Sequence, residues 1–440
     1  MSLEEEMARR IIPSEGEAAA LGDAMESLMA ETRAYLEKNG IDAEPMFVGS
    51  AAKGTFLKDP DVDLFLMFPE GFPRRDMERL GLRAGLDLVG GGKMFADHPY
   101  IRGEYAGYEV DVVPCFAIKS TDRLLTSVDR TPFHTHYVLG NTDAAMRDQI
   151  RFLKAFMKGI GAYGAEPNRR GFSGYMCELL AIRYGGFRGA IEAGAKWREN
   201  VTISLGKKGA PMVAPIVLYD PVDPRRNVAS AVHIDTLALY VAACRAYLKE
   251  PNEKFFFPAE RVALGRDEIR VLNEKRGTKL ITVVFERPEA NEDNLHSQIW
   301  KTAYALARKL DAFTFNVVRF VHELGEGRVA IMFELERDTL SETHKHVGPP
   351  VWVESSERFL GKWRGNPHGE PFIEDGAWKV IAERPYVTAV DMLEAEAAIS
   401  GIGRDIDPST MTVLDHYATL RYGDAGMLTD LLDPRLPWDV

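Results

Sequence analysis

Two hydrophobic periods alternate along the chain and parse it into elements. From Leu21 through Met25, Leu28, Met29, Thr32 and Leu36 the apolar positions recur every three or four residues, the stripe of a helix buried on one side. Ser14 with Glu17 three residues on is a capping box that opens this helix, and Asn39-Gly40 closes it. Met46-Phe47-Val48 then reads as a strand ended by Gly49-Ser50. Ala51 to Phe56 reads as one or two helical turns with Ser50 at the cap, and Val62 to Phe68 as a second strand broken by Gly71-Phe72-Pro73. A helix from about Arg74 to Leu88 runs into Gly90-Gly91-Gly92. Strands follow at Lys93 to Ala96, Tyr100 to Tyr105 and Tyr108 to Ile118, with a hairpin turn at Ala106-Gly107. Strand, helix and meander together predict a mixed α/β sheet over the first ~120 residues.

Beyond Thr131-Pro132-Phe133-His134 the period becomes helical. Asp148 to Lys158 places Ile150, Leu153, Phe156 and Met157 on one side and Arg151, Lys154 and Lys158 on the other, a spacing that ordinarily marks a solvated basic face. Ser173 is placed to cap a helix through Leu179, Leu180 and Ile182, and Asp235 another through Leu237, Tyr240, Cys244 and Leu248. The last third alternates again: a helix over Glu268 to Glu274, a strand over Leu280 to Phe285, a long helix over Asp293 to Leu310, and strands over Phe315 to His322 and Arg328 to Glu334. That β-α-β-β order predicts a ferredoxin-like α+β domain. Ser341 to Trp378, with Trp352 and Trp363, reads as an aromatic loop.

Composition changes this picture little. The 440 residues are 45% hydrophobic and 27% charged, an ordinary globular balance. A net charge of -12 argues against indiscriminate coating of nucleic acid but leaves room for a local basic groove. Cys115, Cys177 and Cys244 are odd in number and far apart, so neither a disulfide framework nor a zinc site is supported. The acidic start MSLEEEMARR is no secretory signal, and no apolar run has membrane-spanning length. A cytoplasmic protein with no membrane attachment is the expectation.

The chemistry gathers around Asp61-Val62-Asp63 at the head of an apolar strand. Asp is depleted in strands, and residues i and i+2 share a face, so two like charges would stand side by side. Alone, D-x-D is a weak signal, read as readily as a solvated turn. Two features strengthen it. The Gly49-Ser50 turn offers backbone N–H groups and a hydroxyl to a phosphate, although an N-cap serine is the commoner use. Asp111 lies among apolar residues in a strand that can pair with Val62 to Phe68. Three carboxylates on adjacent strands make an oxygen-rich site suited to Mg²⁺, and two such ions suit in-line phosphoryl displacement.

Gly49-Ser50, Asp61-x-Asp63 and the later Asp111 form the signature of the DNA polymerase β-like nucleotidyltransferases. The longer words FVGSAAKGTFLKDPDVDLFLMFP, YEVDVVPC, SVDRTPFH, YGAE, RRGFSGYMCELL and DPVDPRRNVA, in that order, resemble the archaeal class of tRNA CCA-adding enzymes. The likeness runs from about Ser14 to Cys244 and more loosely beyond. It implies an α+β multidomain chain: a nucleotidyltransferase palm over 1–138, a helical neck over 139–256, and a ferredoxin-like body with an RNA-binding tail over 257–440. It implies template-independent addition of C, C and A to the tRNA 3′ end from CTP and ATP, and a homodimer.

Carried over position by position, the resemblance makes Asp61, Asp63 and Asp111 the catalytic metal ligands. Gly49 and Ser50 become the triphosphate turn. Lys53, His134, Lys154, Tyr163, Arg170 and Arg226 become nucleotide contacts, Arg226 also reading the base. One departure is Asp61, where relatives often carry Glu, after a loop one residue shorter; slightly altered ligand reach is expected. His134 and His136 form an H-x-H without a third ligand nearby and are not read as a zinc pair. Tyr163 is placed to stack on a base, though a packed turn tyrosine is commoner. Arg169-Arg170 and Arg225-Arg226 read equally as solvated turns or phosphate contacts. A poly(A) polymerase-like enzyme would share the palm and metals but add long tracts of one nucleotide. An inactive RNA-binding scaffold is argued against by the intact carboxylates and Gly-Ser turn.

Overall fold

An apolar run such as Leu64-Phe65-Leu66 requires a strand covered on both faces, and the sheet supplies that position. The computed structural model describes residues 3–58, 60–95, 98–206 and 208–440. Ala96, the expected end of one strand, and Asp59, in the turn before Asp61, lie outside them. The chain forms two units: the first extends from the N-terminus to Glu260 and takes in Leu436–Val440, and the second is Arg261–Arg435.

The first unit begins with α1 (Leu3–Ile11), which the apolar pattern did not mark, and α2 (Glu15–Lys38), where both arms of the Ser14–Glu17 capping box are made. Then come β1 (Glu44–Val48), α3 (Gly49–Lys53), β2 (Val62–Pro69), α4 (Arg74–Val89), β3 (Gly92–Phe95), β4 (Pro99–Tyr105) and β5 (Tyr108–Ala117). The strands form one sheet in the order β1-β2-β5-β4-β3, in which only β2 and β5 run parallel. Val62, Leu64, Leu66 and Phe68 with Val110, Val112 and Phe116 bury one face in a core shared with Leu21 and Leu28 of α2 and Met77 and Ala84 of α4. The other face carries a smaller apolar patch of Phe65, Val113 and Cys115. The strand period of two puts Asp63 and Asp111 on this second face, away from α2 and α4.

Helices follow: α5 (Thr131–Gly140), α6 (Ala144–Gly159), α7 (Gly174–Tyr184) and α8 (Phe187–Gly194), then the short strands β6 (Val201–Ile203) and β7 (Ile216–Leu218), and α9 (Ile234–Lys249). Phe152, Phe156, Phe187, Tyr247, Phe255 and Phe256 knit their core, and Trp438 from the chain's end stacks on Phe255 at 5.2 Å. The expected basic face of α6 is only partly solvated. Lys154 is buried to 2% exposure because it projects toward α7, where an acid awaits it. The cap of α9 is His233, with Asp235 one residue inside the helix.

The second unit starts with α10 (Arg266–Arg276), β8 (Lys279–Glu286), α11 (Glu292–Ala312), β9 (Val317–Leu324) and β10 (Arg328–Leu335), the expected β-α-β-β run. The segment expected to be an aromatic loop is ordered instead, as β11 (Thr343–Pro350), α12 (Ser355–Trp363), β12 (Phe372–Glu374) and β13 (Ala377–Glu383). These strands pair as a separate three-stranded sheet, β11-β13-β12, whose glycines and prolines hid the period-two pattern. α13 (Ala389–Glu396), β14 (Thr412–Leu414), α14 (His416–Tyr422) and α15 (Ala425–Leu432) complete the unit. The main sheet, β14-β8-β10-β9, is antiparallel throughout, the split β-α-β order of a ferredoxin-like fold. Its faces are covered by α11 and α13 on one side and by α10 and α15 on the other. Among the described residues no helix is long and apolar enough to cross a membrane.

Glu334 of β10 is fully buried, with Arg276 Nε and Nη2 donating to its two oxygens at 2.7 and 2.8 Å and Thr278 Oγ1 at 2.7 Å. Arg276→Ala strands that charge and is expected to cost the second unit about 3 kcal/mol. Arg270→Ala, which breaks only exposed pairs on the same helix, is expected to cost less than about 1 kcal/mol. Hydrogen exchange of the β8 and β10 amides reads both variants.

Candidate active site

One row of the first sheet carries the acids. Val48, Asp63, Asp111 and Arg102 are direct register partners across β1, β2, β5 and β4. Neighbouring strands lie about 5 Å apart, so Asp63 and Asp111 face each other as like charges. Arg102 answers the second of them, Nε donating to Oδ1 at 2.8 Å and Nη2 to Oδ2 at 2.7 Å. It also pairs with Glu109 at 3.1 Å. Asp111 and Glu109 in turn hold the guanidinium well above its ordinary pKa. Asp61 precedes β2 and is exposed.

Gly49 is what lets the next turn sit over this row. Its φ of +71° favours glycine, and a Cβ placed there would fall 1.8 Å from Asp63 Oδ2. The turn enters α3 directly, so Ser50 lies inside that helix and Val48 is the cap, a correction to the expected Ser50 cap. Lys53 ends α3 at 6% exposure.

Lys53 reaches a second cluster. Its Nζ is 2.5 Å from Oε2 of Glu178 on α7, while Lys154 Nζ from α6 lies 2.8 Å from Oε1. Lys154 also donates to Thr55 O and Oγ1, and Thr55 Oγ1 donates to Glu178 Oε1 at 2.6 Å. Burial alone would raise Glu178, but Lys154 and Lys53 outweigh it and hold the carboxyl far below its usual range. Burial lowers Lys154 against the pull of Glu178. Tyr163 joins from the turn after α6: a Cβ on Gly174 would meet Tyr163 Oη at 2.8 Å and Lys154 Nζ at 3.7 Å. Tyr163 also lines a recess of about 430 Å³ with Lys158, Glu166 and Arg169.

A third hub is Asp220, fully buried. His134 Nε2 lies 2.8 Å from its Oδ2, Arg226 Nη1 donates to the same oxygen at 3.1 Å, and Tyr175 Oη donates to Oδ1 at 3.2 Å. His134 stacks on Tyr175 with centroids 4.0 Å apart. Burial lowers the His134 pKa against the pull of Asp220, while His134 and Arg226 help hold the Asp220 carboxyl below its usual range despite its burial. His136 instead bonds Pro132 O through Nδ1 at 2.8 Å, one turn back on the same helix.

The structure thus gathers Asp63, Asp111 and Gly49 in one place and Lys53, Lys154 and Tyr163 in another. Lys53 joins the two groups, since its charge also acts on Asp63. His134 and Arg226 meet at Asp220. Arg170 takes a left-handed backbone, φ 51°, its amide donating to Glu166 O and its carbonyl accepting from His233. Arg225-Arg226 lies in a turn where Arg225 stays exposed, yet both guanidinium groups have protein partners: Arg225 bonds Asp223 and the Thr121 and Asp122 carbonyls, and Arg226 bonds Asp220. Sequence reading passed over Arg102, Glu178 and Asp220. Glu178 and Asp220 lie in the words RRGFSGYMCELL and DPVDPRRNVA, and an acid inside an apolar helical run was the available signal for Glu178.

Among the described residues no three Asp, Glu, His or Cys side chains stand together closely enough to hold a metal ion, Asp111 being engaged by Arg102. The donor chemistry nonetheless fits a hard divalent cation. Asp63 and Asp111 in register, with Asp61 exposed two residues before Asp63, offer oxygen donors only, and the repulsion of the paired carboxylates is what an arriving cation relieves.

Three family models match in sequence order. The nucleotidyltransferase domain matches residues 29–134, the second domain of tRNA nucleotidyltransferase residues 148–257, and the C-terminal domain of the CCA-adding enzyme residues 276–415. The CCA-adding enzyme of Methanosarcina barkeri is 37% identical over 409 residues, 91% of this chain and 90% of its own length. That of Thermoplasma volcanium is 36% identical over 92% of this chain and 91% of its own. That of Haloarcula marismortui is 34% identical over 90% of each. Among solved structures the Cid1 poly(U) polymerase covers 57% of this chain and 96% of its own, with a TM-score of 0.45 and 16% identity, a likeness too slight to carry a structural argument.

Burial first, then Asp111 and Asp61, push the Asp63 carboxyl up to about 6, against Lys53 and Arg102. A carboxyl raised above its unfolded value binds more protons when folded, so it lowers stability as pH climbs from about 4 to about 6, by up to roughly 3 kcal/mol. Asp63→Asn is therefore expected to melt above the parent at pH values over about 6, and level with it near pH 4. Calorimetry of both proteins in EDTA measures this.

Proposed function

The chain belongs to the CCA-adding enzyme family, and from that premise we propose how its own residues carry the reaction. The enzyme is a tRNA nucleotidyltransferase with tRNA, CTP and ATP as substrates. The tRNA 3′-oxygen attacks the α-phosphorus of CTP or ATP; the bond to the bridging oxygen breaks and pyrophosphate leaves. The observation that best supports the assignment of roles is the register pairing of Asp63 with Asp111 under the Gly49 turn, beside two buried lysines.

Asp61, Asp63 and Asp111 would hold the divalent metal, which we take to be Mg²⁺. When bound, it lowers the pKa of the 3′-hydroxyl and neutralises phosphate charge. The hydroxyl proton passes either to Asp111, turned from Arg102 toward the hydroxyl, or to water. Ser50 and the amides opening α3 hold the triphosphate, where no side chain at Gly49 could stand. Lys53 and Lys154 meet the phosphates that become pyrophosphate, and their charge stabilises the leaving group. Tyr163 packs against the nucleotide. His134 and Arg226, locked to one Asp220 oxygen, read the incoming base, and Arg170 contributes phosphate contact. In this division 1–138 is the catalytic palm, 139–256 the nucleotide-binding neck, and 257–440 the body and tail that hold the tRNA. We further take the protein to act in the cytoplasm as a homodimer.

Two variants test these roles. Asp111→Ala is expected to lower incorporation by at least about a thousandfold while tRNA gel shift is unchanged; near-normal extension would remove Asp111 from the site. Arg226→Ala is expected to change the ratio of CTP to ATP incorporation by roughly tenfold with tRNA affinity intact. Sequenced products from tRNA ending at the discriminator base, C or CC report the choice. They also separate stopping after one A from the long tracts of a poly(A) polymerase-like enzyme.

A further inference from the structure

Lys53, Lys154 and Glu178 form a buried group whose charges do not cancel. Two ammonium groups face one carboxylate, at 6%, 2% and 0% exposure. Each lysine takes a different oxygen of Glu178, at 2.5 and 2.8 Å, and Thr55 Oγ1 fills a further acceptor site at 2.6 Å. The three side chains come from α3, α6 and α7. A buried cation left without a counter-ion is costly, and two ammonium groups set this close would repel each other apart. One carboxylate between them prevents that and leaves an excess of one positive charge, which an anion can satisfy.

We infer that Glu178 is a positioning residue for nucleotide binding: it holds the Lys53 and Lys154 amino groups side by side and aligned for the polyphosphate, and so sets affinity by phosphate number. This rests on the reading that the lysines meet the triphosphate. Glu178 itself touches no phosphate, because both its oxygens are spent on the lysines and Thr55. Its effect passes through them. Helix α7 also carries Tyr175, three residues before Glu178, whose hydroxyl bonds Asp220 and whose ring lies 5.7 Å from Lys53 Nζ. One helix face therefore places both the phosphate-binding and the base-reading side chains.

The test measures binding of ATP, ADP and AMP to the full chain, together with melting temperature, for the parent, Glu178→Gln, Lys154→Met and the double variant. Glu178→Gln is expected to weaken ATP on the order of tenfold and AMP by less than about twofold. In the Lys154→Met background the same change is expected to add less than about twofold for ATP, because its route to the phosphate is gone. Equal weakening of ATP and AMP would mean a merely structural role, and losses that multiply in the double variant would mean an independent one; either overturns the inference. If Lys154→Met weakens ATP selectively and Glu178→Gln does not, the inference fails alone. If Lys154→Met leaves ATP binding intact, the phosphate role of Lys154 fails and the inference with it. Should Glu178→Gln fold poorly, Glu178→Asp withdraws the charge by one methylene; the same ATP-selective loss supports the inference, and full ATP affinity overturns it.

Discussion

The bridge from Lys53 through Glu178 to Lys154 ties the first unit together at a single buried carboxylate. It joins the helix that leaves β1 to two helices of the following segment, more than a hundred residues away in sequence. Ions in a dry interior tolerate little displacement, because a lost partner exposes a bare charge to a medium that cannot solvate it. The positions of α3, α6 and α7 are therefore tied together at one carboxylate. Asp220 repeats the device with His134, Tyr175 and Arg226, and Asp129 does so with backbone: Phe116 N, Leu125 N and Thr126 N all donate to it. Buried acids thus brace the segments around the site.

The acidic row works by the opposite logic. Asp63 and Asp111 are register partners whose repulsion the fold leaves partly unrelieved, with Lys53 and Arg102 offsetting it in part. Such an arrangement costs stability and is kept where a cation is needed for chemistry. Gly49 belongs to the same arrangement. Its missing side chain is the space that brings a backbone turn onto an acid, and its left-handed φ points that turn into α3. Rigid charge pairing on one side and unresolved repulsion on the other frame the region where triphosphate and 3′-hydroxyl would meet.

Much of this was legible along the chain. The capping box at Ser14, the strands on either side of the Gly49 turn, the strand carrying Asp111 and the β-α-β-β run of the second unit all follow from local period and turn chemistry, which act over a few residues. What local spacing left open has a physical origin. Lys154 sits at a spacing that ordinarily describes a solvated face, and a carboxylate brought in from α7 makes its burial tolerable. Thr343 to Glu383 hid a sheet behind glycines, prolines and aromatics, whose pairing depends on strands distant in sequence.

The sequence by itself marked the candidate acids, the Gly49-Ser50 turn and the family, because those depend on residue type at short, ordered spacing. Tertiary structure alone decided how the charges are used. Whether a lysine faces water or a buried glutamate, which arginine answers Asp111, and which acid holds His134 to Arg226 are set by side chains that meet across many tens of residues. Electrostatic energy depends on those distances and on burial, and neither is written in any local stretch of the chain.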